Sequence, residues 1–152
     1  MRLYLDTSAL VKLHVEEEGS VLVREAVAQA EPISTSRIAY VEARAAFARR
    51  RHTRELDSQD YRRIVRDLDG DWDHYLRIDV TEPLIRTAAR LAERHYLRAY
   101  DAIHLASVCV VRDRLGAPVV FACWDSDLDT AGAKEGLISL RARASRRSPG
   151  KT

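Results

Sequence analysis

Leu3-Tyr4-Leu5-Asp6-Thr7-Ser8-Ala9-Leu10-Val11-Lys12-Leu13 decides how this chain folds. The short apolar run Arg2–Leu5 stops at an acid and two hydroxyls, so it reads as a buried strand. Thr7 or Ser8 is then placed to cap a helix through Ala9–Leu13. A second run, Val119-Val120-Phe121-Ala122-Cys123-Trp124, is rich in β-formers and stops at Asp125, where a short helix to Lys134 follows and Gly136 ends it. It is the best central strand in the chain. In open α/β sheets, functional sites lie at the carboxyl ends of the strands, and both of these runs end in an aspartate.

The remaining elements are read outward from these two. Glu16–Glu18 opens a helix that reaches Ala30, and Pro32 stops it. Ile33-Ser34 is a very short strand. Ser36 caps a long helix to about Arg51, and Asp57 or Ser58 starts another that ends near Gly70. Tyr75–Ile78 is a strand. Thr81 starts a helix to about His95, with Pro83 in the first turn, where proline is tolerated. An apolar helix runs from Ala99 to about Arg114 and is stopped by Gly116-Ala117-Pro118. Leu137–Leu140 is a last strand. Alternating strands and helices indicate an α/β fold with a mostly parallel sheet. A chain of 152 residues fits one domain. That domain is expected to span residues 1–140, with 141–152 as a basic, disordered tail.

Hydrophobic residues make up 46% and charged residues 32%, the balance of an ordinary globular domain. No apolar run approaches the roughly 18 residues of a membrane span, so no membrane role is expected. Met1-Arg2 precedes only three apolar residues before Asp6, which is no signal peptide. Cys109 and Cys123 lack CxxC spacing and read as small buried hydrophobes, which suits a reducing compartment and a cytoplasmic location.

Asp6, Glu42, Asp101 and Asp125 are each embedded in, or border, apolar sequence. Burying an acid is costly unless its charge is compensated, and acids brought together raise one another's pKa. A hard divalent ion with oxygen ligands is the natural compensation, which points to Mg²⁺ or Mn²⁺. Such ions ease the deprotonation of an attacking water and stabilise the leaving oxygen of a phosphodiester. Ser8 or Thr7 is placed to position a water or a phosphate. The basic block Arg49-Arg50-Arg51-His52-Thr53-Arg54 suits a nucleic-acid backbone, or else a solvated helix end. His104 shares a helix face with Asp101 and reads as a core histidine. Tyr100, beside Asp101, is the aromatic best placed to stack on an RNA base, whereas Trp72, Tyr75 and Tyr96 read as packing residues.

The segments that carry these acids also carry a family resemblance. Leu3–Leu13 resembles the opening of PIN-domain nucleases, especially VapC-type toxins of toxin–antitoxin pairs. Ser36-Arg37-Ile38-Ala39-Tyr40-Val41-Glu42, Tyr100-Asp101-Ala102-Ile103-His104-Leu105-Ala106 and Trp124-Asp125-Ser126-Asp127-Leu128 resemble that family's next three acid segments, in order. The resemblance covers about residues 1–140. It implies a three-layer α/β/α fold and a Mg²⁺- or Mn²⁺-dependent endoribonuclease. It also implies a cognate antitoxin that blocks the site, and a homodimer. Asp6, Glu42, Asp101 and Asp125 carry over as metal ligands, and Ser8 as the polar residue beside Asp6. The family often has a Thr or Ser two residues before its fourth acid, where this chain has Cys123. Asp127 follows two residues after Asp125 and can replace or assist it. Rival readings are a phosphatase of the haloacid dehalogenase type on Asp125-x-Asp127, a binding module acting only on RNA or an antitoxin, and an RNA-processing nuclease that is not a toxin.

Overall fold

The structure is a computed structural model that describes residues 1–147. Its strands are β1 (Leu3–Leu5), β2 (Ile33–Ser36), β3 (Leu76–Ile78), β4 (Val120–Ala122) and β5 (Ile138–Ser139). They form one parallel sheet in the order β3-β2-β1-β4-β5. Helices α1 (Thr7–His14) and α2 (Ser20–Ala28) link β1 to β2, and α3 (Ile38–His52) and α4 (Ser58–Trp72) link β2 to β3. Helices α5 (Glu82–His95) and α6 (Ala99–Leu115) lead to β4, α7 (Ser126–Lys134) leads to β5, and α8 (Leu140–Arg147) follows.

The sheet alternates sides as a period of two requires. Leu3, Leu5, Val120 and Ala122 pack into one core with Leu10, Val23, Phe47 and Leu68 of α1–α4. Tyr4, Phe121 and Cys123 pack into the other with Leu84, Leu91, Leu105 and Leu128 of α5–α7. Helices therefore cover both faces, and the architecture is a three-layer α/β/α sandwich. The chain starts in the middle of the sheet, grows outward through β2 and β3, then crosses back to add β4 and β5. Strand order thus reverses between β1 and β4, where a crevice opens beyond the carboxyl ends of the strands. The pairing Leu5↔Ala122 fixes that point, and the Asp6 amide extends it by donating to the Ala122 carbonyl at 3.1 Å.

Several local features differ from the sequence reading. Asp6 itself caps α1, accepting from the Ala9 amide, so Thr7 and Ser8 lie inside the helix. Helix α2 begins at Ser20, not at Glu16–Glu18, because Gly19 takes a left-handed conformation (φ 90°) there. A Cβ at Gly19 would lie 2.6 Å from the Trp124 ring, so both backbone and space demand glycine. Strand β2 extends to Ser36, so Arg37 and not Ser36 stands at the N-cap of α3; the Ser36 hydroxyl accepts from the Ile38 amide at 3.3 Å. Residues 141–147, expected as tail, form most of α8. Leu140 is buried in the α1–α4 core, the Ser139 hydroxyl accepts from the Ala142 amide, and Arg141 donates to the Trp124 carbonyl. The rest of the expected tail, 148–152, lies outside the described residues. No helix among the described residues is long and apolar enough to cross a membrane.

Candidate active site

Asp6 sits at the carboxyl end of β1, only 5% exposed. Its Oδ1 accepts from the Ser8 hydroxyl at 2.6 Å and the Ala9 amide at 2.9 Å. The Ser8 hydroxyl also accepts from the Trp124 amide at 3.1 Å. Ser8 therefore ties the end of β1 to the residue just before Asp125. Burial pushes the Asp6 carboxyl up to about 6, although the His104 charge and the Ser8 and Ala9 hydrogen bonds oppose it; the Asp101 carboxylate adds to the rise.

Asp101 lies in the first turn of α6 and Asp125 caps α7, its Oδ1 accepting from the Leu128 amide at 2.9 Å. Both are partly buried. One guanidinium spans them: Arg98 Nε donates to Asp101 Oδ2 at 3.3 Å, and its Nη2 donates to Asp125 Oδ2 at 3.4 Å. Burial raises the Asp101 pKa and the Asp125 carboxylate adds to the rise; Arg98 and His104 pull against both, and the net direction is upward. Ser8 links Asp6 to the residue before Asp125, and Arg98 links Asp125 to Asp101, so the three acids lie on adjoining elements.

Glu42 reaches the same region from α3, and it is already engaged. Its Oε1 accepts from the Thr7 hydroxyl at 2.7 Å and lies 2.9 Å from His104 Nε2. An ionised carboxylate only accepts, so His104 Nε2 carries the proton. The same nitrogen is 3.1 Å from Thr7 Oγ1, and Nδ1 is 2.9 Å from the Tyr4 hydroxyl. Burial pushes the Glu42 carboxyl up, but the His104 hydrogen bond and charge, with the Thr7 hydrogen bond, outweigh it and leave it lowered. His104 and Tyr4 are buried, so this chain braces Glu42 from within the protein.

The other residues singled out in the sequence fall into place unevenly. Asp127 is exposed in the first turn of α7 and lines a different hollow, with Arg94, Tyr96 and Lys134. Arg49 lines a groove of about 450 Å³ that runs from Thr7 and Glu42 past Ile38 and Val41 to Tyr100. Arg50 is instead held by Glu17 at 3.0 Å, and Arg51 stacks on Tyr61 at 5.0 Å. Arg51 and Arg54 line a separate cleft with Tyr61. Cys123, in place of the hydroxyl residue, is buried in the α5–α7 core. Arg98 joins this site with one signal in the sequence, a base three positions before Asp101 at a helix start, the spacing that pairs.

The donor set consists of carboxylate and hydroxyl oxygens, which hard divalent cations prefer. Burial raises Asp6 and Asp101, and a bound cation would favour their charged forms, so the residues fit one. Among the described residues, no three acids, histidines or cysteines already close on a single point. Glu42 is hydrogen-bonded to His104 and Thr7, and Asp101 and Asp125 are joined through Arg98.

A family model of the PIN domain matches residues 3–123. Ribonuclease VapC45 and Ribonuclease VapC49 of Mycobacterium tuberculosis are each 35% identical to the chain over 133 residues, covering 88% of it and 90% of each relative. The chain belongs to the PIN-domain family, in its VapC branch. Solved structures agree on the fold. PAE2754 from Pyrobaculum aerophilum superposes with a TM-score of 0.64 at 18% identity, over 96% of this chain and 88% of that one. FitAcB from Neisseria gonorrhoeae gives 0.63 at 16% identity, over 90% of this chain and 94% of that one. A toxin–antitoxin complex from Klebsiella pneumoniae gives 0.55 at 16% identity, over 79% and 84%.

Proposed function

We propose that this VapC-type PIN domain is a divalent-metal-dependent endoribonuclease and the toxin of a toxin–antitoxin pair. The observation that carries the reading is the 35% identity to named ribonucleases over 88% of the chain; the links from Asp6 through Ser8 to the residue before Asp125, and from Asp125 through Arg98 to Asp101, support it.

Asp6, Asp101 and Asp125 would hold Mg²⁺ or Mn²⁺, with Glu42 completing the acid wall. When bound, the ion supplies a more acidic attacking water and charge stabilisation for the leaving oxygen. The chain's own residues do the positioning. Ser8 holds Asp6 Oδ1 and the Trp124 amide together, which sets the spacing between the ends of β1 and β4. Tyr4 and His104 fix Glu42 through a chain of hydrogen bonds, leaving one of its oxygens uncommitted to that chain. Asp125 rather than Asp127 is the fourth acid, because it shares Arg98 with Asp101 while Asp127 faces the Arg94–Lys134 hollow. Arg49 and the groove beside Glu42 receive the RNA strand flanking the cut. A cognate antitoxin covering the site, a homodimer and action in the cytoplasm belong to the same proposal.

The test is incubation of total cellular RNA with purified, antitoxin-free protein in Mg²⁺, in Mn²⁺ and in EDTA, beside folded Asp6→Asn. Discrete metal-dependent fragments that disappear in the variant are the expected result. Equal cleavage by Asp6→Asn, or cleavage that persists in EDTA, would sink the reading.

A further inference from the structure

Arg98 stands where the function above has no place for it. It precedes the first turn of α6, its side chain is 82% exposed, and its fork reaches Asp101 and Asp125 together. Asp6 lies deeper and is tied through Ser8 to the residue before Asp125. The guanidinium is thus an exposed cation on the solvent side of Asp101 and Asp125. We propose that Arg98 is an exchangeable counter-ion: it neutralises Asp101 and Asp125 until a divalent cation takes those carboxylates, and it then binds the non-bridging oxygens of the substrate phosphodiester. The proposal rests on the metal-dependent nuclease reading.

The physical chemistry favours exchange over a fixed bridge. The two contacts are long for charge-assisted hydrogen bonds, 3.3 and 3.4 Å against a usual 2.7–2.9 Å. An arginine this exposed also keeps most of its hydration, so releasing it costs little. Once a dication sits among the acids, it repels the guanidinium, and the nearest anion on offer is the phosphate that the dication attracts. A planar five-donor fork suits two phosphate oxygens, whereas a lysine would bring charge without the fork. The exchange also spares the empty crevice a cluster of uncompensated carboxylates, and it spares the loaded crevice an arginine competing for its ligands.

The test uses the full chain with Arg98→Ala and Arg98→Lys, each checked for folding by circular dichroism. Mn²⁺ affinity is measured without RNA by titration calorimetry. Affinity for a short fluorescent single-stranded RNA is measured in Ca²⁺, which fills the acids with a hard cation. Losing two exposed ion pairs should tighten Mn²⁺ binding by about threefold to tenfold in Arg98→Ala. Losing a forked phosphate contact should weaken RNA binding about tenfold and lower its salt slope by about 0.7. Arg98→Lys should recover most of the salt slope but only part of the RNA affinity. Unchanged Mn²⁺ affinity in Arg98→Ala overturns the counter-ion role, and unchanged RNA affinity overturns the phosphate role. The two failures are distinct from failure of the nuclease reading, in which the wild-type protein cleaves no RNA whatever Arg98 does to Mn²⁺.

Discussion

Replacing Asp6 by Asn should make the metal-free protein more stable at neutral pH while abolishing cleavage. Burial lifts the folded-state pKa of Asp6 from 3.8 to about 6, so the folded protein takes up a proton there before the unfolded chain does. With more protons bound to the folded state, stability falls as pH rises from about 4 to about 6. At about 1.4 kcal/mol per pKa unit, the ionised Asp6 costs the apo fold about 3 kcal/mol above that window. Asparagine carries no charge, is nearly isosteric and caps helices as well as aspartate, so the acceptor for Ser8 and Ala9 is kept. Asp6→Asn should therefore gain about 2–3 kcal/mol at neutral pH, or roughly 4–12 °C in melting temperature for a domain of this size. Thermal and urea unfolding in EDTA, at several pH values between about 4 and 7.5, would measure it. Mg²⁺ should then raise the melting point of wild type and leave the variant unmoved. A variant no more stable than wild type at neutral pH, or one with the same pH slope, would refute the claim that the Asp6 charge is buried without full compensation.

Three further outcomes follow from the geometry. Asp125→Asn should slow cleavage by about a hundredfold, since it removes a ligand charge, while Asp127→Asn should change it by less than about twofold; rates on one mapped RNA decide between them. His104→Ala should cost at least about 2 kcal/mol in urea unfolding, because the Tyr4 hydroxyl and Glu42 both lose a partner, whereas Tyr4→Phe should cost about 1 kcal/mol. Gly19→Ala should cost about 1–3 kcal/mol and shift the tryptophan emission, since it needs a left-handed backbone and space now filled by Trp124.

The parts of this molecule visible in the sequence are those set by local periodicity and punctuation. The short apolar runs ending at Asp6 and Asp125 are the central strands β1 and β4, and Thr81 with Pro83 starts α5 as read. The crevice follows from the same two strand ends, once they are neighbours. The less visible parts depend on partners far along the chain. Glu42 and His104 are separated by 62 residues, and nothing local says that the histidine braces the acid. Arg98 pairs with Asp125 across 27 residues, which only the packing of α6 against α7 brings about. Helix α8 is so rich in arginine that its composition reads as tail; one buried leucine and a serine cap hold its start. The Arg49–Arg54 block divides because successive helix residues face different directions, so only Arg49 shares the groove at Glu42.

The central claim is that the chemistry sits on the carboxylates beyond β1 and β4. Anomalous diffraction from crystals soaked in Mn²⁺ tests it most directly. The account predicts an anomalous peak among Asp6, Asp101 and Asp125, with the Arg98 guanidinium drawn off the two outer acids. A peak at Asp127, or none in the crevice with Arg98 still bridging Asp101 and Asp125, would contradict it.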